Sequence, residues 1–173
     1  NYVPEDRHNH GLFKIRSVCE NTSSAVLAGR KVGRFFLNHK QESELAGKYI
    51  QDFRIKVTDQ DQLAGSLSGG NQQKVVIGRT LSTLPKLIIL DEPTRGIDAA
   101  ARGDVYHIIR QLRDQGVAIL LVSSDIEEII ELSDRVITVF HGSINGEFAT
   151  GAITQDRLTA ASFGLNPDSE GQS

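Results

Sequence analysis

Methionine is absent from this chain, which begins at Asn1, and cysteine occurs once. Translation starts with methionine, so the sequence reads as a processed product or a piece of a longer protein, and we favour a piece. A lone cysteine excludes an internal disulfide and suits a reducing cytoplasm. No motif surrounds Cys19, so a buried structural thiol is expected rather than a reactive one. Long apolar runs are also missing. Val117 to Val122 falls far short of the roughly 20 residues that cross a bilayer, and no signal peptide opens the chain. Net charge is only −3 with no long basic run, which gives no indication of a nucleic-acid partner. His8, His10, His39, His107 and His141 show no metal-ligand spacing with cysteine or carboxylates. No internal repeat or low-complexity tract is visible.

What is present fits one compact domain or the larger part of one: 39% hydrophobic and 24% charged residues. The C-terminal half alternates strand and helix patterns. "KLIIL" (Lys86 to Leu90), "VAILLV" (Val117 to Val122) and "RVITVF" (Arg135 to Phe140) are near-continuous apolar runs. Such runs predict strands buried on both faces of a mainly parallel sheet. Between them, Asp98 serves as an N-cap, Val105, Ile108, Ile109 and Leu112 mark one helix face, and Gly116 closes that helix. "SSDIEEII" offers two capping boxes, Ser124 with Glu127 or Asp125 with Glu128. Strand, helix, strand, helix, strand is an α/β pattern with crossover connections.

From Leu12 to Gly65 strand signals are weak and a mostly helical segment is expected. Ser17 and Glu20 stand at capping-box spacing, and Ala46, Tyr49, Ile50 and Phe53 form one face of an amphipathic helix. The "GRKVGR" cluster at Gly29 to Arg34 reads as a solvated loop. After Gly146 the pattern fades, with a short helix near Gln155 to Ser162 and a polar, mobile tail from Asn166.

Two stretches carry chemistry. "LSGGNQQK" places bare backbone where a helix begins, although glycine costs about 1 kcal/mol relative to alanine inside a helix. The first-turn amides lack helical acceptors and the dipole makes that end electropositive. Ser68 adds a hydroxyl, and Gly69 and Gly70 would let one phosphate group reach the amides. A plain N-cap after a flexible loop explains the same letters. "LIILDEP" places Asp91 and Glu92 at the C-terminal end of a buried strand, where open α/β sheets bind ligands. Asp91 there can hold Mg²⁺ through water, and Glu92 can orient or deprotonate an attacking water. A solvated strand end remains the alternative.

Together these stretches resemble the ATP-binding subunits of ABC transporters. "LSGGNQQK" is similar to their signature, "LIILDEP" to their Walker B strand, and "TRGID" (Thr94 to Asp98) to the loop that follows it. "NYVPEDRxxxGL", "LSGGNQQKVVI", "DEPTRGID" and "SSDIEEI" look like the second ATPase half of twin-cassette proteins serving bacterial sugar importers. The closing "ASFG" resembles the branch that imports autoinducer-2. The resemblance implies an α/β, P-loop NTPase-like core with a mainly parallel sheet, helices on both faces and a helical subdomain. It divides the chain into a partial cassette over 1–165 (12–66 helical, 67–147 signature helix and Walker B core, 148–165 extension) and a tail over 166–173.

By the same resemblance, two cassettes sandwich two ATP molecules, each held by Walker A and B of one and the signature of the other. Glu92 would be catalytic and Asp91 would face Mg²⁺. Ser68, Gly69, Gly70, Gln72, Asp98, Ser124 and Glu5 would face nucleotide, with Gln73 nearby. The partners implied are a first cassette on the same or a second polypeptide, polytopic permease subunits and, indirectly, a solute-binding protein. The place implied is the cytoplasmic face of the cell membrane. Three departures stand out. No G-x-x-x-x-G-K-[ST] loop occurs, so these residues alone should bind ATP weakly or not at all. Glu5 stands where the family usually has glutamine, and Ser124 where it usually has histidine, which should weaken the site beside Glu92 and leave the signature intact. A soluble ABC ATPase of translation or DNA repair, and a truncated cassette that no longer hydrolyses ATP, are the rival readings.

Overall fold

The computed structural model describes residues 1–29 and 39–165. The basic residues of the Gly29–Arg34 cluster and the tail from 166 lie outside the described residues. The chain forms two compact units, Asn1–Val122 and Ser123–Ser173.

In the first unit the two apolar runs become β2 (Leu87–Asp91) and β3 (Ala118–Val122), and β1 (Tyr2–Val3) joins the other edge of β2. The sheet is parallel in the order β1-β2-β3, with Tyr2 opposite Ile89 and Leu90 opposite Leu121. Expected burial on both faces is corrected. Val3, Ile88 and Leu90 are fully buried on one face, while Tyr2, Leu87, Leu120 and Val122 on the other are about half exposed. A run of consecutive apolar residues does not reveal which of its two faces has a neighbour.

Helix α3 (Gly69–Leu81) is buried nearly all round, from Gly70 to Leu81. It packs against α1 (Val18–Gly29), α4 (Ala99–Asp114), β1 and a single π-helical turn at Arg7–Gly11. Fully burying a residue such as Ile77 or Ile108 contributes about 1.5–3 kcal/mol each, and both are almost inaccessible. Between α3 and α4, Lys74 is 2% exposed, pairs with Asp104 at 2.6 Å and donates to the Arg54 carbonyl. A lysine buried this deeply is tolerated because its charge is matched.

The capping box at the start of α1 forms in both directions: the Glu20 N–H donates to Ser17 Oγ, and the Ser17 N–H to Glu20 Oε2. Asn21, fully buried, accepts from the Phe13 N–H and donates to the Phe13 and Ser17 carbonyls, tying the entering chain to the helix. Cys19 is 5% exposed and burial pushes its thiol pKa up, as a structural cysteine requires.

Helix α2 (His39–Asp52) buries Ala46 and Tyr49, and Phe53 just beyond its end is also buried. The Tyr49 and Phe53 rings lie 5.4 Å apart, and the approach of Tyr49 to α3 needs a small residue at Gly78. Desolvation raises the Tyr49 phenol to about 12, against about 10 in an unfolded chain. An acid whose folded pKa is raised contributes stability in full below pH 10, and loses it as pH climbs through about 12. Tyr49→Phe should therefore flatten the alkaline limb of a stability–pH curve between those values, measured by urea denaturation.

The second unit holds α5 (Ile126–Leu132), the strands β4 (Arg135–Phe140) and β5 (Ser143–Ala149), and α6 (Gln155–Ser162). Asp125 is the N-cap of α5, accepting from the Glu127 and Glu128 amides. Here the reading of "RVITVF" as a parallel strand is corrected: β4 pairs antiparallel with β5. The two join through His141 and Gly142, both at positive φ, the backbone that a two-residue hairpin turn requires. Val136 and Phe148 pack with Leu158 and Ala161 of α6, at the position expected for the short helix.

Candidate functional site

The first unit brings four pieces of sequence together: the tip of α3, the end of β2, the 92–98 loop and residues 2–7. Ser68 is the N-cap of α3 in extended backbone, and its side chain makes no bond to the helix amides. Its carbonyl takes the first helical bond, from Gln72 N–H at 2.9 Å. The amides of Gly69, Gly70 and Asn71 therefore have no intrahelical acceptor. Asn71 Nδ2 donates to Ser68 Oγ at 2.9 Å, which orients the hydroxyl and leaves its own proton free to donate. Asn71 Oδ1 accepts from the Lys56 N–H, so one side chain fixes both the cap and the loop after α2.

The glycines have a structural cause that spacing alone did not show. A Cβ on Gly70 would stand 2.2 Å from the Cβ of Ala101, and one on Gly69 would stand 3.0 Å from Arg7 Nη2. What approaches the bare backbone closely is the protein's own α4 and Arg7. Gln72 is turned inward in this chain. It is 6% exposed, and its amide donates to the Leu67 carbonyl at 2.9 Å, so it holds the loop ahead of the helix. Gln73 is 2% exposed and equally turned inward.

Asp91 ends β2 on its more open face and accepts a hydrogen bond from the Tyr2 hydroxyl at 2.7 Å. That bond raises the Tyr2 pKa. Glu92 follows in left-handed backbone at φ 47°, its N–H bonded to the Val122 carbonyl and its own carbonyl accepting from Arg95 N–H. A non-glycine residue held there costs on the order of 1–3 kcal/mol, and such strain clusters at functional sites. Asp98 caps α4, and the Ala101 N–H that it accepts holds its carboxyl below the usual range. Glu5 forms an ion pair with Arg95. Ser124 lies in the second unit, in the turn that precedes α5.

A sequence model of the ABC transporter family matches residues 1–95, more than half of the chain. The chain belongs to the ABC transporter family. Solved cassettes share its fold. The dimeric post-hydrolysis state of the ATP-binding cassette MJ0796, bound to ADP and Pi, superposes with a TM-score of 0.71 at 20% identity, over 86% of this chain and 61% of that one. An inward-facing, putative metal-chelate type ABC transporter gives 0.73 at 19%, over 88% and 60%. The cassette MJ1267 gives 0.74 at 22%, over 94% and 64%. The chain thus spans about 60% of the length of the solved structures it matches. Within this ABC cassette sequence reasoning missed Arg7, Tyr2 and Asn71. Arg7 carried a readable signal: it lies inside a segment already singled out by its "PEDR" letters.

Proposed function

We propose that this chain supplies the signature and Walker B parts of an ATP-hydrolysing cassette that drives import of a sugar or sugar-like molecule. The supporting observation is the tip of α3, where three amides without helical acceptors and the Ser68 hydroxyl sit at an electropositive helix end. There they would bind the terminal phosphate of an ATP held chiefly by a second cassette. Asp91 offers a hard carboxylate oxygen at a strand end, the donor type that Mg²⁺ takes through water. When bound, the ion would neutralise phosphate charge. Glu92 would hold and deprotonate the attacking water, and Asp98 and Glu5 would line the nucleotide side.

Among the described residues no helix is long and apolar enough to cross a membrane. On the importer reading the permease would be formed by separate subunits, with this chain peripheral on the cytoplasmic face. The sugar-importer reading rests on the variants "NYVPEDRxxxGL", "LSGGNQQKVVI", "DEPTRGID" and "SSDIEEI" taken together. It is tested by uptake of labelled sugars, offered with their binding protein, into vesicles holding the complete transporter. ATP-driven uptake that stops in Glu92→Gln supports it. ATP turnover with no response to any sugar-loaded binding protein contradicts it.

A further inference from the structure

Arg7 ends the "NYVPEDR" stretch but was given no role of its own, and it reaches from residues 2–7 to the 92–98 loop and the tip of α3. It is 8% exposed. Nη1 donates to the Arg95 carbonyl at 2.8 Å and Nη2 to the Gly96 carbonyl at 3.2 Å. The same Nη2 would stand 3.0 Å from a Cβ on Gly69, a tight contact that a side chain there could make only by displacing the guanidinium. Gly96 stands at φ +69°, so the guanidinium clasps the 94–98 loop where the chain reverses. Nε is buried with no hydrogen-bond partner among the described residues, and burial lowers the Arg7 pKa. Keeping a cation in such a place is costly unless its fork is needed. Beside it, the Glu5–Arg95 pair ties the same two segments together from the solvent side.

We infer that Arg7 is a positioning residue that locks the 94–98 loop to the tip of α3, so that the signature and the loop following Walker B hold one arrangement. This rests on the functional reading above and adds its internal control. A planar fork spans two successive carbonyls, and a lysine ammonium on a flexible stem does not. With Arg7→Lys or Arg7→Met the α3 tip would no longer be held against the loop, and ATP would lose part of its preference for the closed pair.

The test measures ATP-dependent closure of the complete cassette pair by fluorescence transfer between the cassettes. The ATP concentration at half-maximal closure should rise about tenfold in Arg7→Lys and further in Arg7→Met. That concentration does not depend on the fraction of folded protein, so a merely structural role would leave it unmoved. In the chain itself, amide exchange at residues 94–98 should quicken about tenfold in Arg7→Lys, with Leu90 and Ile108 unchanged. Unchanged half-saturation in both variants, while Gly69→Val abolishes closure, overturns the inference and spares the functional reading. No ATP-dependent closure in the unaltered pair overturns both.

Discussion

Gly70→Ala is expected to lower the melting temperature by roughly 2–8 °C, and adding Ala101→Gly to restore most of the loss. The new Cβ would sit 2.2 Å from the Cβ of Ala101, so α3 and α4 must part. Overpacking of this kind costs about 1–3 kcal/mol. It is partly offset by the ~1 kcal/mol by which alanine exceeds glycine as a helix former. Once Ala101 loses its Cβ, the nearest remaining atom is its Cα at 3.6 Å, an ordinary contact. Thermal denaturation of the four proteins gives the coupling. Simple addition of the two single effects would show that Gly70 is not required by α4, and would return the glycine to a purely ligand-side role.

Glu92→Gln should reduce ATP turnover by the complete transporter by about 10²–10⁴-fold, the usual contribution of a general base. Glutamine keeps the size of the side chain and the φ 47° backbone while removing the basic oxygen. The melting temperature of the chain should stay within about 2 °C, as for most substitutions that leave packing intact. ATP-dependent closure should persist, because on the proposed reading amides and metal would hold the phosphates and this carboxylate would not. If turnover fell less than about threefold, Glu92 would not be the base, and the strained backbone at 92 would need another cause.

Much of the fold was legible because local rules and tertiary packing agree. Asp98, Asp125 and the Ser17–Glu20 pair announce helix starts through their own side chains, and the structure uses each as a cap. The strand β5 was not legible. "SINGEFA" mixes asparagine, glycine and glutamate, poor strand formers, and is held by its pairing with β4 and by Phe148 in the core. The same limit applies at the site. "SGG" marked the helix tip correctly, but periodicity cannot say that Ala101, thirty-one positions beyond Gly70, fills the space beside it. Nor could it show that Gln72 faces inward or that Arg7 meets Gly69, since both depend on contacts between distant segments.

Amide hydrogen exchange at Gly69, Gly70 and Asn71 in the complete transporter, with and without ATP under non-hydrolysing conditions, addresses the α3 tip itself. These N–H groups have no acceptor in the helix. Phosphate capture should slow their exchange by at least about tenfold while the core amides of β2 stay as they were. Closure of the pair with those three amides exchanging as freely as before would mean that the tip of α3 does not hold the phosphate.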